Sequence, residues 1–274
     1  MDIEFFHVNL FAEAPFSGVP VPVYVLPGDD ASNDRILPSL GTELGIPDSV
    51  AAEPAGPDRY RIRFLTTGGE VDHSSRSLLA AAHVLSRGRA PDSAVRMLDR
   101  HGKALRVDTD GPRRVWLPYE PAPPMPVEDE TIRRAVLTAM GLPMDWLVLQ
   151  GAQDVIVVVP DAGEVLECRP DLTAVRVLPC RGVGITARSA GAPDHDIMSR
   201  YFSPQSQLDE DDVTASLHAD LGRYWTDMLG RAQLRACQAS RRGGTLILRR
   251  AGETLFVGGD ALVLIEGTLR LPAR

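Results

Sequence analysis

Short runs of β-branched and aromatic residues recur along nearly the whole chain, and they constrain the fold more than any other feature of the sequence. Such runs are typical of β-strands when turn-forming residues separate them. The segments with this character are 3–11, 21–26, 59–65, 113–117, 154–159, 182–188, 245–250, 254–259 and 261–267. A chain of 274 residues is also long enough to bury a core without disulfides or metal.

Only a few segments carry the three-to-four-residue apolar spacing of a helix. They are residues 33–44, 77–87, 131–141 and 213–230. Gly88 follows the second segment as a stop signal. The Pro-rich stretch 118–130 is typical of a linker between two halves. The sequence therefore predicts an α+β fold in which sheets wrap a few helices.

The charge balance narrows the class of partner. The formal net charge is -8, from 29 basic and 37 acidic residues, so the clustered positive charge of a nucleic-acid surface is missing. The chain starts without signal-peptide features and has no apolar run of about 18 residues. We expect a cytoplasmic protein that binds a small molecule, and neither nucleic acid nor a membrane.

The cysteines do not indicate a metal site or a disulfide framework. Cys168, Cys180 and Cys237 are odd in number and lack paired spacing with histidine. We expect buried or inert thiols and no bound metal.

Two loops with an acid followed by small polar residues each precede a helical segment. Asp72-His73-Ser74-Ser75 precedes the run at 77–87, and Asp212-Val213-Thr214-Ala215 precedes the run that starts at 216. Plain helix capping is one interpretation of each loop. The other is a pair of helix N-termini that bind an anionic substrate, such as a carboxylate metabolite. In the second helix the predicted core face is Leu217, Leu221, Tyr224 or Trp225, and Met228.

Four segments in chain order carry a resemblance to one family. They are FFHVNLFAEAPFSG near the start, DIMSRYFSP at 196–204, LDEDDVTASLHADLGRYW at 208–225 and QASRRGGTL at 238–246. These are similar to the family motifs Val-Asp-Ala-Phe with Phe-x-Gly-Asn-Pro, Ser-Arg-Phe-Phe, Asp-Glu-Asp-Pro-Val-Thr-Gly-Ser-Ala-His and Gln-x-Ser-x-Arg-Gly-Gly. The chain thus resembles the phenazine-biosynthesis (PhzF-like) isomerases of the diaminopimelate epimerase superfamily.

The resemblance implies an architecture and an assembly. It implies two similar domains, 1–118 and 119–274, each a β-sheet or barrel curled around a central helix, with the active-site cleft between them. In this arrangement a C-terminal strand near 262–274 joins the first domain. The resemblance also implies a homodimer and no cofactor.

Several catalytic positions depart from the family pattern. Asp48 stands where the family has Glu, and Ser75-Arg76-Ser77 stands where it has Gly-His-Pro. The family Asp is kept as Asp211 and its Ser as Ser216. Because none of the thiols lies near these loops, the resemblance does not extend to the two-cysteine epimerases.

The candidate site residues fall into two groups. The catalytic candidates are Asp48, Asp211, Ser216 and His73, and the substrate-binding candidates are Arg76, Ser75, Thr214, Ala215 and Asp72. In family terms Asp211 holds or protonates the substrate, while Ser216 donates to a carboxylate or lines the proton path. The alternative for Asp211 is a structural cap, and the alternative for Ser216 is a helix-facing hydroxyl.

Arg76 stands at a predicted helix start, where the helix dipole repels a cation, so it requires a nearby anion. The substrate carboxylate, Glu70, Asp72 and Asp48 are the alternatives. Pairing with Asp48 would stabilise that carboxylate and weaken it as a base.

The resemblance implies a cofactor-independent isomerase that shifts a proton and a double bond on a small unsaturated amino or carboxylic acid. Family members of this kind serve antibiotic-precursor pathways, such as alkylproline or phenazine formation. The alternative is a catalytically silent relative that binds a small carboxylate metabolite or a partner.

Overall fold

The computed structural model describes residues 1–28, 33–88, 95–189, 194–206 and 208–271. These residues form two compact units, which we describe separately. The first unit comprises residues 1–117 together with 258–274, and the second comprises residues 118–257. Residues 272–274 of the predicted C-terminal strand, and Gln207 before the acidic run, lie outside the described residues.

The first part of the chain contains two helices and most of the short strands. In order they are β1 (Asp2–Leu10), β2 (Val19–Val25), α1 (Asn33–Glu43), β3 (Asp48–Pro54), β4 (Arg59–Thr66), β5 (Gly69–Val71), α2 (Ser75–Ser86), β6 (Arg96–Leu98), β7 (Ala104–Leu105), β8 (Asp108–Asp110) and β9 (Arg114–Tyr119).

The described residues of the remainder of the chain form four α-helices and eight strands. They are β10 (Met125–Pro126), α3 (Glu130–Met140), β11 (Leu147–Gln150), β12 (Val155–Val158), α4 (Ala162–Glu167), α5 (Leu172–Arg176), β13 (Val183–Arg188), β14 (Ile197–Phe202), α6 (Ala215–Leu229), β15 (Gln233–Gln238), β16 (Gly244–Ala251) and β17 (Thr254–Arg270). A short 3-10 helix, Pro204–Ser206, follows β14. The predicted α+β fold is therefore confirmed.

The sheet of the first unit mixes parallel and antiparallel pairs. Strand β1 runs antiparallel to both β2 and β17. Strand β2 pairs with β3 in parallel, and β3 continues into an antiparallel pair with β4. Strand β4 then pairs with β5 and, in parallel, with β6.

Helix α2 is the core helix of this unit. Every residue from Ser77 to Leu85 is buried, and the helix packs on β1, β2, β3 and β4. Leu and Ala dominate this stretch because both form helices readily and the small Ala side chains allow strands to approach closely. A helix that is apolar all round requires burial on every side.

The second unit repeats the scheme around α6. Strands β11 to β16 pair in sequence, with parallel pairs at β12–β13 and β14–β15. Two glycines permit close packing of the helix. A Cβ at Gly184 would lie 2.8 Å from Leu217, and a Cβ at Gly222 would lie 2.5 Å from Leu255. Helix α6 ends at Gly230, whose positive φ of 62° suits a left-handed cap.

The structure corrects several details of the predicted elements. The helices expected at 33–44, 77–87, 131–141 and 213–230 are confirmed as α1, α2, α3 and α6. The strands expected at 254–259 and 261–267 are one continuous strand, β17. The predicted core face of α6 is right for Leu217, Leu221 and Trp225 and wrong for Met228, which is 62% exposed. The reason is that the last turn of α6 leaves the core, since Asp227 and Gly230 are exposed as well.

The helices in the described part of the chain are all too short or too polar to cross a membrane. The predicted cleft between the halves stays a prediction.

The burial of α6 predicts unequal effects of truncating two of its side chains. We expect Leu221→Ala to lower the free energy of unfolding by about 2–5 kcal/mol, because it leaves a cavity in a fully buried place. Met228→Ala, on the same helix, should change it by about 0.5 kcal/mol or less. Urea unfolding followed by circular dichroism measures both. An equal loss of unfolding free energy in the two variants would show that Met228 belongs to the core face.

Candidate active site

The first group of predicted site residues lies at the start of α2. Asp48 is the first residue of β3, and its Oδ2 atom pairs with Nη2 of Arg76. The hydroxyl of Ser74 donates to the Oδ1 atom at 3.4 Å. The side chains of Asp48 and Arg76 are only 12% and 16% exposed. The fold therefore brings Asp48 and Arg76 together as a sheltered ion pair, and Ser74 adds a hydrogen bond to it.

This ion pair explains how a cation can occupy the first turn of a helix. The open N–H groups of that turn carry partial positive charge, which disfavours Arg76 unless an anion lies close by. Asp48 supplies that anion from the neighbouring strand. Ser74 contributes as well, because its hydroxyl oxygen accepts from the N–H of Ser77 at 3.3 Å and so caps the helix.

Glu70 and Asp72, the other two acids that could pair with Arg76, each form an ion pair with a different arginine. Glu70 accepts from Nε and Nη2 of Arg63 at 2.6 and 2.8 Å. Asp72 pairs with Arg100 at 2.5 Å, and its side chain is 74% exposed. Asp72 is therefore a surface group with a surface partner, whereas Asp48 is a sheltered carboxylate.

His73 and Ser75 form a separate pair beside the same helix start. The Nε2 atom of His73 lies 3.2 Å from the hydroxyl of Ser75, and the ring meets Phe64 edge-on at 5.6 Å. Burial lowers the pKa of His73, and the positive charge of Lys103 lowers it further. Both effects favour the neutral imidazole.

The second group lies just before α6 and is centred on Asp211. This carboxylate is 7% exposed, and its Oδ2 atom accepts from the hydroxyl of Thr214 at 2.5 Å. Its backbone N–H donates to the carbonyl of Tyr201 at 3.0 Å. Thr214 is the N-cap residue by position, but its hydroxyl binds Asp211 and does not cap an N–H of α6 in the described structure.

Gln238 holds the loop that carries Asp211. It is fully buried, and its side-chain oxygen accepts from the N–H of Thr214 at 2.9 Å. Its side-chain nitrogen donates to the carbonyl of Asp211 at 2.7 Å. Ser240 adds a bond from its hydroxyl to the carbonyl of Asp212 at 2.7 Å. One amide thus fixes both ends of the 211–214 segment.

The acidic run 209–212 contains only one buried carboxylate, that of Asp211. The other three acids pair with arginines: Asp209 with Arg176 at 3.9 Å, Glu210 with Arg200 at 2.7 Å and Asp212 with Arg242 at 3.9 Å. Burial therefore distinguishes Asp211 from its three acidic neighbours.

The histidines inside the core helices are confirmed as packing residues. His218 is fully buried, with Nδ1 donating to the carbonyl of Thr214 at 2.8 Å and Nε2 lying 3.1 Å from the hydroxyl of Ser199. Burial lowers its pKa to about 4. His83 in α2 is buried as well, and burial lowers its pKa to about 4. Neither imidazole carries a charge at neutral pH.

Ser216 lies at the second residue of α6 and belongs to a network that sequence patterns do not reveal. Its hydroxyl accepts from Nη2 of Arg181 at 2.9 Å. Arg181 in turn binds Asp154, which is almost fully buried. Ala215, between Ser216 and Thr214, is buried and offers only its backbone to a ligand.

Three residues were missed as site residues by sequence reasoning: Gln238, Arg181 and Asp154. Gln238 stands in the QASRRGGTL segment, so its place in that motif is a usable signal. Asp154 and Arg181 are single charges directly before the buried strands β12 and β13. A lone charge at a strand start is common, and nothing local identifies its partner.

The thiols fit the prediction of buried or inert groups. Cys168 is buried, and burial raises its pKa to about 11. Burial also raises the pKa of Cys180. The described residues contain no cluster of three or more His, Cys, Asp or Glu able to hold a metal ion.

The matches to known proteins extend over almost the whole chain. The family model of phenazine biosynthesis-like proteins, PhzC-PhzF, matches residues 8–267. The chain belongs to this family. Two uncharacterized isomerases of Pseudomonas aeruginosa are 36% and 32% identical to it, and each match covers 99% of this chain and 100% of the relative. These names support the prediction that this PhzC-PhzF protein is an isomerase.

Solved structures agree with the family assignment. A PhzF family protein of Enterococcus faecalis superposes with a TM-score of 0.86 at 26% identity, covering 99% of this chain and 100% of that one. A predicted epimerase of Pseudomonas aeruginosa superposes with a TM-score of 0.72 at 20% identity, covering 98% of this chain and 100% of that one, and shows the shared fold alone. The predicted PhzF-like, epimerase-like fold is confirmed.

The Gln238 contacts predict a large loss of stability on substitution in this PhzC-PhzF chain. Gln238→Leu leaves one buried N–H and one buried carbonyl of the 211–214 segment without partners. Each such group costs about 1–3 kcal/mol, so we expect a loss of about 2–5 kcal/mol in urea unfolding. Gln233→Leu, at an exposed place on the same strand, is the matched control. If Gln238→Leu and Gln233→Leu have the same free energy of unfolding, the two hydrogen bonds of Gln238 do not stabilise the 211–214 segment.

The burial of His218 predicts a pH-dependent stability. The folded pKa of about 4 lies below the ordinary 6.5, so the unfolded chain takes up the proton first as pH falls. The contribution is therefore complete above pH 6.5 and is lost as pH falls toward 4, on the order of 3 kcal/mol. Between these pH values, the unfolding free energy of His218→Gln should fall less steeply than that of wild type, whereas the exposed variant His101→Gln should follow wild type. Identical slopes for His218→Gln and wild type would contradict the assignment.

Proposed function

We propose that this protein is a cofactor-independent isomerase that moves a proton, and with it a double bond, on a small unsaturated amino or carboxylic acid. The observation that carries the proposal is a sheltered carboxylate at the start of each core helix. Asp48 lies beside the first turn of α2, and Asp211 lies just before α6. Membership of the PhzC-PhzF family and the isomerase names of its relatives support the same class.

Asp211 is the proton-transfer residue in this proposal. A base takes a proton from one carbon, the electron pair of that C–H bond forms a new double bond, and the old double bond accepts a proton at another carbon. The reaction balances without any oxidant or cofactor. Asp211 suits this task because the Gln238 clamp fixes its backbone and the hydroxyl of Thr214 holds one carboxylate oxygen. General acid–base catalysis of this kind is worth about 10²–10⁴-fold in rate.

Arg76 is one of the carboxylate-binding residues in this proposal. Its guanidinium already binds one carboxylate, that of Asp48, and a substrate carboxylate offers the same planar group. Exchange of partners would release Asp48 for proton transfer. Without exchange, one oxygen of Asp48 stays engaged by the cation. The Asp side chain is also about 1.5 Å shorter than the Glu of the family pattern, so Asp211 takes the larger share of the chemistry.

The finer parts of the proposal follow from the resemblance. We propose a cytoplasmic homodimer that acts in specialised metabolism, on a substrate from an antibiotic-precursor pathway of the alkylproline or phenazine type. His73, Ser75, Thr214 and Ala215 then line the substrate, and Asp72 stays at the surface with Arg100.

The second candidate function is a catalytically silent relative that binds a small carboxylate. The contact between Asp48 and Arg76 favours it, because the guanidinium occupies a carboxylate oxygen that would have to accept the substrate proton. The two functions differ in one measurable event, which is exchange of a carbon-bound hydrogen with solvent.

Deuterium incorporation separates the two functions. A panel of small unsaturated amino and carboxylic acids is incubated with the protein in deuterium oxide and analysed by mass spectrometry. We expect deuterium at carbon in the product or in recovered substrate. Asp211→Asn should reduce the exchange by about 10²-fold or more, because an amide cannot carry the proton. Asp209→Asn, an exposed acid of the same run, should leave it unchanged.

The outcomes distinguish the hypotheses. If Asp211→Asn and Asp48→Asn both keep full exchange, neither carboxylate transfers the proton and the assignment fails. If several acids bind to wild type by calorimetry and none exchanges hydrogen, the silent carboxylate-binding protein is the better account.

A further inference from the structure

Arg181 occupies an unusual place, because it connects a buried carboxylate to the first turn of a core helix. It lies just before β13 and donates from Nε to Oδ1 of Asp154 at 2.9 Å, while Nη2 pairs with Oδ2 of the same residue. The same Nη2 atom donates to the hydroxyl oxygen of Ser216 at 2.9 Å. A two-point contact with a carboxylate fixes the plane of the guanidinium. Arg181 therefore has one defined orientation toward Ser216.

The carboxylate that holds Arg181 is itself rigidly held. Asp154 is 1% exposed, and its Oδ1 atom also accepts from the hydroxyl of Tyr201 at 2.7 Å. That hydroxyl lies against Gly182, where a Cβ would come within 2.4 Å of it. A carboxylate that accepts hydrogen bonds from two side chains is fixed in orientation and keeps its partner in place.

The contact with Arg181 decides which way the hydroxyl of Ser216 can act. A guanidinium has only donors, so the oxygen of Ser216 must accept. The proton of that hydroxyl then has to be donated elsewhere, and the described residues provide no acceptor for it. Ser216 is half-buried at the second residue of α6, where the helix dipole favours a negative charge.

We infer that Arg181 is a positioning residue that fixes Ser216 as a hydrogen-bond donor to the carboxylate of the substrate. This inference rests on the proposed function, and it adds the role of Ser216 to that function. Ser216 binds the acid group and does not act as a base, because its oxygen is already engaged by a cation. Lys at position 181 would supply charge but could not bind Asp154 at two points and Ser216 together.

Ligand binding tests the role of the donor. Cyclohex-1-ene-1-carboxylate is titrated into wild type, Ser216→Ala, Arg181→Met, Arg181→Lys and the double variant Ser216→Ala/Arg181→Met by calorimetry. We expect Kd to rise about tenfold or more in each single variant and the double variant to be no weaker than Arg181→Met. If the affinity losses of Ser216→Ala and Arg181→Met add up in the double variant, the two residues act independently and the inference is overturned. Unchanged affinities in the single variants would overturn it as well.

The coupling between the two residues is also measurable without any ligand. Ser216→Cys places a thiol at the same position, and its pKa is read from thiolate absorbance after subtraction of wild type with its own three cysteines. We expect a thiol pKa below the ordinary value of about 8.5, because a cation and a helix N-terminus both stabilise the thiolate. Adding Arg181→Met should raise it by about one unit or more, and Arg181→Lys should raise it less.

This second measurement separates failure of the inference from failure of the proposed function. If the thiol pKa is the same with Arg and Met at position 181, Arg181 does not position Ser216, whatever the protein binds. If the thiol responds but the acid binds equally well to wild type and to Ser216→Ala, the donor role is wrong.

Discussion

A carboxylate that is withdrawn from water has to be satisfied by a cation or by hydrogen bonds, and the candidate sites of both units follow from this requirement. Leaving such a charge unpaired costs several kcal/mol, which is a large part of the stability of a domain. The first unit satisfies Asp48 with the guanidinium of Arg76. The second satisfies Asp211 with the hydroxyl of Thr214 and fixes its backbone with Gln238. Each solution places a polar group at the start of the helix that forms the core of the unit.

The two solutions have different chemical consequences. A guanidinium holds a carboxylate through a charge-assisted contact, whereas a neutral hydroxyl makes a weaker one. In the proposed reaction Asp211 is therefore the proton-transfer group, and the role of Asp48 depends on what Arg76 binds. Asp48 and Arg76 contact each other, so a change at either position alters the surroundings of the other.

The sequence predicts the elements whose pattern is local. The apolar spacing of α2 and α6 and the alternation in β1 and β4 are properties of consecutive residues, so their places could be predicted. Strand β3 could not, because Ala, Glu and Pro in Asp48–Pro54 have low strand propensity, and pairing with β2 and β4 determines its conformation. The exposure of Met228 depends on where the strands that cover α6 end. The apolar spacing of a helix carries no information about that point.

The candidate site divides in the same way. Asp211 and Ser216 could be predicted because they stand in a continuous motif, and the anion required by Arg76 could be narrowed to a few acids by charge alone. The contact of Arg181 with Ser216 could not, since 35 positions separate the two residues and Asp154 lies 27 positions before Arg181. Long-range contacts of this kind are set by strand order, and a single sequence has no local signal for them.

The central claim is that Asp211 transfers a proton to or from a carbon of a bound acid. The most direct measurement is a crystal structure of Asp211→Asn with an unsaturated acid that wild type converts, since this variant binds the acid without turning it over. The account predicts that the carbon that exchanges its hydrogen lies about 3–3.5 Å from the side chain of residue 211, with the acid group at the hydroxyl of Ser216. A bound acid whose exchanging carbon lies beyond the reach of residue 211 would contradict it.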